Sequence, residues 1–180
     1  MELGSAGIVA GTRQVASPNC DARPAGAAVS LLVVHAISLP PGRFGSDAVE
    51  RLFTNQLDPD ADPYFREIHA LRVSAHFFLR RDGELIQFVP VGERAWHAGV
   101  SAWRGRGRCN DFSVGVELEG CEAVAFEDIQ YVRLAQLTGA LQRALPLCDV
   151  AAHSDIAASR KTDPGPLFDW PRYLRLLGAD

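Results

Sequence analysis

The sequence predicts a single mixed α/β (α+β) domain, with a central mixed β-sheet flanked by helices. Three observations predict it. Apolar or alternating runs of strand length recur at Val29–Ile37, Val73–Leu79, Glu84–Val89 and Phe112–Leu118. The segment from Phe126 to Leu145 instead carries its apolar residues at the 3.6-residue period of a helix. The chain has 180 residues, 47% apolar and 22% charged, a size and mixture that suit one core. Strands, hairpins and helices interleaved in one domain imply helices packed on a mixed sheet.

Residues 1–28 contain Pro18, Pro24 and scattered Gly and Ala, so they read as an irregular arm packed on a domain spanning 29–180. Val29 to Ile37 is apolar up to His35, which implies a strand buried on both faces, stopped by Pro40-Pro41-Gly42. A short helix is expected over Asp47–Phe53, with Asp47 as N-cap and Ala48, Leu52 and Phe53 turned inward. The rest of 42–64 shows no sustained period, and Asp58-Pro-Asp-Ala-Asp-Pro63 is turn material. Such a connection reads as a wall or lid, and residues 43–63 are expected to order over a ligand. Phe65–Ala70 fits one or two helical turns.

Val73–Leu79 and Glu84–Val89 flank Arg80-Arg-Asp82-Gly83, whose Asp-Gly pair predicts a type I′ hairpin turn. Trp96 to Asp111 reads as a long Gly- and Arg-rich loop. Phe112–Leu118 follows as a strand, with Glu117 near its C-terminal end. Phe126-Glu127-Asp128 opens a helix expected to bury Ile129, Val132, Leu134, Leu137, Leu141 and Leu145, closed by Pro146. Val150–His153 is a short strand, and Trp170–Leu177 a last amphipathic helix with Pro171 in its first turn.

Net charge is −4 with no block of one sign, which disfavours nucleic acid as a partner. The densest basic run, Arg104 to Arg108, suits one or two anionic groups on a small ligand. No apolar run approaches the ~18–20 residues of a membrane helix. The first ten residues lack the positive start and apolar core of a secretory signal. The expectation is a cytoplasmic monomer with a small-molecule ligand and no membrane partner. Cys20, Cys109, Cys121 and Cys148 contain no C-x-x-C pair and read as reduced, mostly buried thiols.

The densest chemistry lies in His153-Ser-Asp-Ile-Ala-Ala-Ser-Arg-Lys161-Thr-Asp163-Pro-Gly-Pro166. An imidazole, an ammonium and a carboxylate fall within eleven residues, and Pro164 and Pro166 bar a helix after them. In an extended segment Lys161 and Asp163 share a side. With His35, the strand-end His153 and the loop-borne Asp163 are the ligand types of an open zinc site, three protein donors and a fourth position for water. Each His alone is equally a hydrogen-bonded core residue. Glu117 stands among Val114, Val116 and Leu118, where a buried carboxylate is costly and suits general acid–base work. On an edge strand it would simply face solvent. Lys161 is either a solvated cation or a donor to an oxyanion. His76 reads as a core imidazole, His69 as a surface or packing residue, and His97 as lining a ligand cleft. None of these three is expected to bind metal.

Five blocks in order give a more specific signal: His35-Ala-Ile-Ser-Leu-Pro-Pro-Gly42, Arg72-Val-Ser-Ala-His76-Phe-Phe, Ala95-Trp-His-Ala-Gly99, Arg108-Cys-Asn-Asp-Phe-Ser-Val-Gly-Val-Glu-Leu-Glu-Gly120, and His153-Ser-Asp-Ile-Ala through Arg160-Lys-Thr-Asp-Pro-Gly165. Together they resemble the AmpD-type 1,6-anhydro-N-acetylmuramyl-L-alanine amidases of the zinc amidase and peptidoglycan-recognition superfamily. The resemblance runs from Arg13 to Tyr173 and implies that fold, with Zn2+ held by His35, His153 and Asp163. It implies Glu117 and Lys161 as the catalytic pair and hydrolysis of the lactyl–L-Ala amide of anhydro-muropeptides in cell-wall recycling. It also implies substrate contacts for Arg72, Arg108 and Tyr64; Trp96 and His97 are assigned to the same cleft. Ala36 replaces the usual Asn, Ala158-Ser159 the usual Pro-Gly, and Ala152 the usual Gly; these bear on ligand contacts and loop geometry, not on the metal donors.

Two other readings compete. A muropeptide-binding module of the same fold would bind without cutting, though it needs no nucleophile. A metal-free cysteine hydrolase would use Cys109 or Cys121 with a nearby His.

Overall fold

The computed structural model describes residues 1–178; Ala179 and Asp180, the end of the expected 29–180 domain, lie outside the described residues. The arm holds β1 (Arg13–Gln14) and β2 (Cys20–Ala22), followed by β3 (Leu31–Ile37). Next come α1 (Ala48–Phe53), α2 (Pro63–Ile68), β4 (Phe77–Leu79), β5 (Leu85–Gln87) and β6 (Glu93–Ala95). A small hairpin, β7 (Ala102–Trp103) and β8 (Arg106–Gly107), leads through a 3-10 turn at Cys109–Asp111 into β9 (Ser113–Glu119). The chain ends with α3 (Asp128–Ala144), β10 (Asp149–Ala152), α4 (His153–Ile156) and α5 (Trp170–Leu177).

Six strands form the mixed sheet that the interleaved strands and helices predict, in the order β1-β5-β4-β9-β3-β10. All neighbours are parallel except β4 and β5. β3 and β9 are central, which explains their near-continuous apolar character. Their alternation sorts residues by face. Leu32 and Val34 of β3 join Val114, Val116 and Leu118 of β9 in the core under α3 and α5. Leu31 and Val33 face the other way, with Ala151 of β10 and Ile156. His35 and Glu117 are register partners on that second face.

Several local expectations are corrected. β3 starts at Leu31 and runs two residues past His35, so His35 is within the strand. Asp47 sits at the N-cap position of α1 but makes no side-chain cap; its carboxylate pairs with Arg51 instead, at 2.8 Å. α2 starts two residues earlier than expected, because Asp62 accepts from the Tyr64 N–H and Pro63 fills its first turn. In the β4–β5 hairpin Gly83 alone has positive φ (88°), so the turn is not type I′. The Gly83 N–H donates to the Arg80 carbonyl and the Arg80 N–H to the Glu84 carbonyl, the pattern of a three-residue loop whose left-handed Gly makes a bulge.

The long loop after Trp96 contains a hairpin and a 3-10 turn. His153 opens a helical turn and does not end a strand. In α3, Ile129 is 40% exposed while Gln130, Tyr131 and Thr138 are buried. Leu134, Leu137 and Leu141 are buried as expected, and hydrogen bonds bury the polar positions beside them. Gln130 donates to the carbonyls of Leu79 and Glu119, and Thr138 shares a 2.8 Å hydrogen bond with the Tyr173 hydroxyl of α5. Of the four free thiols only Cys109 is buried, and Cys148 is exposed, so the expectation of mostly buried thiols fails. The arm is tied down by Arg23, whose guanidinium donates to the carbonyls of Asn110 and Ser113 at 3.0 and 2.8 Å.

Segment 43–63 is a wall. Val49, Leu52, Phe53 and Leu57 pack with Phe78 and Ile86 in an apolar cluster on the site's face of the sheet. Movement of this segment on ligand binding remains a proposal, tested by hydrogen exchange with and without ligand.

Candidate metal centre

The C-terminal ends of β3, β9 and β10 point at one cavity of about 530 Å³, the position where parallel sheets hold ligands. Glu117 lines it from β9, and its register partner His35 on β3 is buried beside that wall, against His153 and Asp163. His153 follows β10, on the face that Ala151 also takes. The loop after α4 is closed by the Ser154 N–H donating to the Asp163 carbonyl at 3.0 Å, and Ala157 accepts from the amides of Arg160 and Lys161. Asp163 is thereby returned beside His153.

His35 Nδ1 and His153 Nδ1 lie 2.9 Å apart. Asp163 Oδ2 is 3.4 Å from the first and 3.1 Å from the second. Donors about 2.0–2.1 Å from a tetrahedral zinc ion stand roughly 3.3 Å from one another, so the three fit that ion in both chemistry and spacing. They are the one such donor group among the described residues. Burial holds the His35 imidazole down to about 4, against the opposing influence of the Asp163 carboxylate, so it is neutral at pH 7. Burial alone would raise the Asp163 carboxyl, but the neighbouring His153 and His35 imidazoles outweigh it and keep it below the usual range. A neutral imidazole and an anionic carboxylate are the ligand forms.

Glu117 Oε1 lies 3.9 Å from His35 Nδ1. Its Oε2 is buried and has no hydrogen-bond partner. β9 is central, so Glu117 is not a solvent-facing edge residue. Burial first, then the charge of Asp163, pushes its carboxyl well above the usual range, and Lys161 opposes the shift. Lys161, Thr162 and Asp163 all line the cavity, so no strand-like alternation sorts the first from the last.

Tyr64, Trp96 and His97 also line the cavity. Trp96 Nε1 is anchored on Asp21, 3.2 Å away. Arg72 and Arg108 do not line it: Arg72 is exposed against the carbonyls of His69 and Leu71, and Arg108 pairs with Asp111 at 3.2 Å. The guanidinium on the cavity wall belongs to Arg160, which donates to the Ala98 and Val100 carbonyls. Sequence alone assigns Arg160 no role, because its neighbours Ala98 and Val100 lie some sixty positions away in the chain. Cys109 is fully buried in a small apolar cluster, and burial raises its thiol, which speaks against a nucleophile there. His76 is a wholly buried core imidazole, accepting from the Gly115 N–H at 3.0 Å.

The family model of N-acetylmuramoyl-L-alanine amidase matches residues 25–166. This chain belongs to the N-acetylmuramoyl-L-alanine amidase family. Among curated relatives, the 1,6-anhydro-N-acetylmuramyl-L-alanine amidase AmpD of Salmonella typhimurium (strain SL1344) is 55% identical over 92% of this chain and 89% of its own length. A selenomethionine crystal structure of AmpD superposes with a TM-score of 0.95 at 53% identity, covering 98% of this chain and 99% of that one. The amidase AmiD of E. coli, solved in complex with the substrate anhydro-N-acetylmuramic acid-L-Ala-D-gamma-Glu-L-Lys, gives 0.59 at 32% identity, over 86% of this chain and 60% of that one. The mixed sheet flanked by helices is the fold of these amidases.

Proposed function

We propose that this amidase is zinc-dependent and hydrolyses the amide between the lactyl group of 1,6-anhydro-N-acetylmuramic acid and the L-Ala of its stem peptide. The observation that carries the reading is the three-donor triangle of His35, His153 and Asp163 facing the unpartnered Glu117 Oε2. The names of the relatives support the substrate class. The same reading makes the protein a cytoplasmic monomer in muropeptide recycling. Among the described residues no helix is long and apolar enough to cross a membrane.

Zinc at these donors supplies a Lewis acid and makes water acidic enough to attack near neutral pH. Glu117, with one oxygen free, takes the proton of the attacking water and returns it to the leaving L-Ala amine. Lys161 places its ammonium against negative charge growing on the amide oxygen. Tyr64 and Trp96 form the ligand wall and exclude water. Arg160 offers a cation on the cavity wall; Arg72 and Arg108, outside its lining, reach only ligand groups that extend beyond it. A pure binding module would give the orphaned buried oxygen of Glu117 no work to do.

The test incubates the protein with anhydro-muropeptide and follows release of free peptide. Release is expected, abolished by chelation and restored by zinc. Absence of release at every zinc level supports binding without cleavage; release that survives chelation but stops on thiol alkylation supports a cysteine hydrolase.

A further inference from the structure

We propose that His97 is a positioning residue that fixes the tautomer of His35, so that His35 presents a bare Nδ1 to the metal. This rests on the zinc reading above. Ser113 Oγ lies 2.6 Å from the Cys109 carbonyl oxygen, which can only accept, so the hydroxyl proton points there. Its lone pairs then accept from His97 Nε2, 3.2 Å away, which must carry the proton. A neutral His97 is left with a bare Nδ1. That atom is 2.9 Å from His35 Nε2, which must therefore be protonated. His35 Nδ1 is left bare, and it is the atom beside His153 Nδ1 and Asp163 Oδ2. One backbone carbonyl thus sets the direction of three successive hydrogen bonds ending at the metal site.

The ring is held where this relay needs it. A Cβ on Gly115 would lie 2.5 Å from His97 Cγ, so only glycine at this point of β9 lets the imidazole lie against the strand. Asn110 Oδ1 accepts from the backbone amides of His97 and Ala98 at 3.2 and 2.8 Å. Both ring nitrogens are engaged within the protein, which leaves neither for a ligand in the cleft. Partners of metal-binding imidazoles commonly set tautomer and orientation; here the partner is another imidazole, itself directed by a hydroxyl.

The test compares wild type with H97N, H97A and S113A. Asn keeps an acceptor near the position of Nδ1, whereas Ala removes it. Imidazole nitrogen–proton spectra of the metal-free proteins read the tautomer directly, and zinc affinity is read by competition with a chelator. Wild type is expected to show His35 protonated at Nε2 alone. H97A is expected to mix the two forms and weaken zinc by about 10–100-fold. H97N is expected to retain the wild-type tautomer and affinity to within about threefold. S113A, which leaves the His35 contact intact, is expected to mix the tautomers of His97 and His35. Equal losses in H97A and H97N, or an unchanged His35 tautomer in both H97A and S113A, would overturn the proposal while wild type still binds zinc. A wild type that takes up no zinc would overturn the metal reading, and this inference with it.

Discussion

Replacing Asp163 with alanine takes away one of the three donors, the one bearing charge, and its effect is calculable. At free zinc about 1,000 times the wild-type Kd, binding stabilises the folded protein by about 4.1 kcal/mol. For a domain of this size each kcal/mol raises Tm by about 2–4 °C, so wild type gains roughly 8–16 °C. Structural zinc sites yield about 10–16 kcal/mol over four ligands, roughly 3–4 kcal/mol for each. Loss of Asp163 then weakens Kd by about 10²–10³. At the same zinc level the variant keeps about 0.4–1.4 kcal/mol of stabilisation, or roughly 1–6 °C. The assay is a pair of thermal melts, with zinc and with chelator, for each protein. The metal-free melt removes from the comparison any cost of leaving His35 and His153 without their carboxylate. A zinc-induced shift as large in D163A as in wild type would refute the assignment of Asp163 as a ligand.

E117Q is expected to lower the rate of peptide release by about 10²–10⁴ with zinc stoichiometry unchanged; elemental analysis beside the rate assay checks both. K161M is expected to cost about 10²–10³ in kcat with little change in zinc content, and an unaffected kcat would remove Lys161 from the mechanism. Burial, and then the charge of Arg23, hold His76 down to about 3. The unfolded chain takes up this proton near pH 6.5 and the folded one does not, so its contribution is complete above that pH and is lost as pH falls toward about 3. The loss runs at about 1.4 kcal/mol per pH unit. H76N, which keeps an acceptor for the Gly115 amide, is expected to show a shallower fall in urea stability between about pH 7.5 and about pH 5 than wild type; parallel falls would contradict the assignment. Leu134, fully buried between α3 and the sheet, is expected to cost about 2–5 kcal/mol when cut to alanine, read by urea melts with activity retained in the folded fraction.

The central strands were legible because burial on both faces writes itself as unbroken apolar runs, as in Leu31–Val34. The donor triangle was legible through the family resemblance, since each His alone reads equally as a core residue. What escaped depended on partners distant in sequence. Periodicity assigned Ile129 inward because it counts apolarity, whereas Gln130 and Thr138 are buried by hydrogen bonds to Leu79, Glu119 and Tyr173. The Asp82-Gly83 pair located a turn, but its type depended on the sign of one φ that Asp allows either way. β1 is two residues long and exposed, so its pairing with β5 leaves no apolar signature. His97 lines the cleft as its sequence suggests, but nothing in Trp96-His97-Ala98 shows that Gly115 and Ser113 will lie beneath it.

The shared register of His35 with Glu117 constrains how such a chain can change in length. Side chains on a strand swap faces with every residue inserted. A single-codon insertion in β9 upstream of Glu117 would turn the carboxylate into the oily layer beneath α3 and bring an aliphatic side chain beside His35, His153 and Asp163. An insertion of two residues would keep the faces but shift every partner by a full step. Natural variation in length should therefore be confined to segments such as the small hairpin at 102–107, which can grow or shrink without disturbing the parity of the sheet.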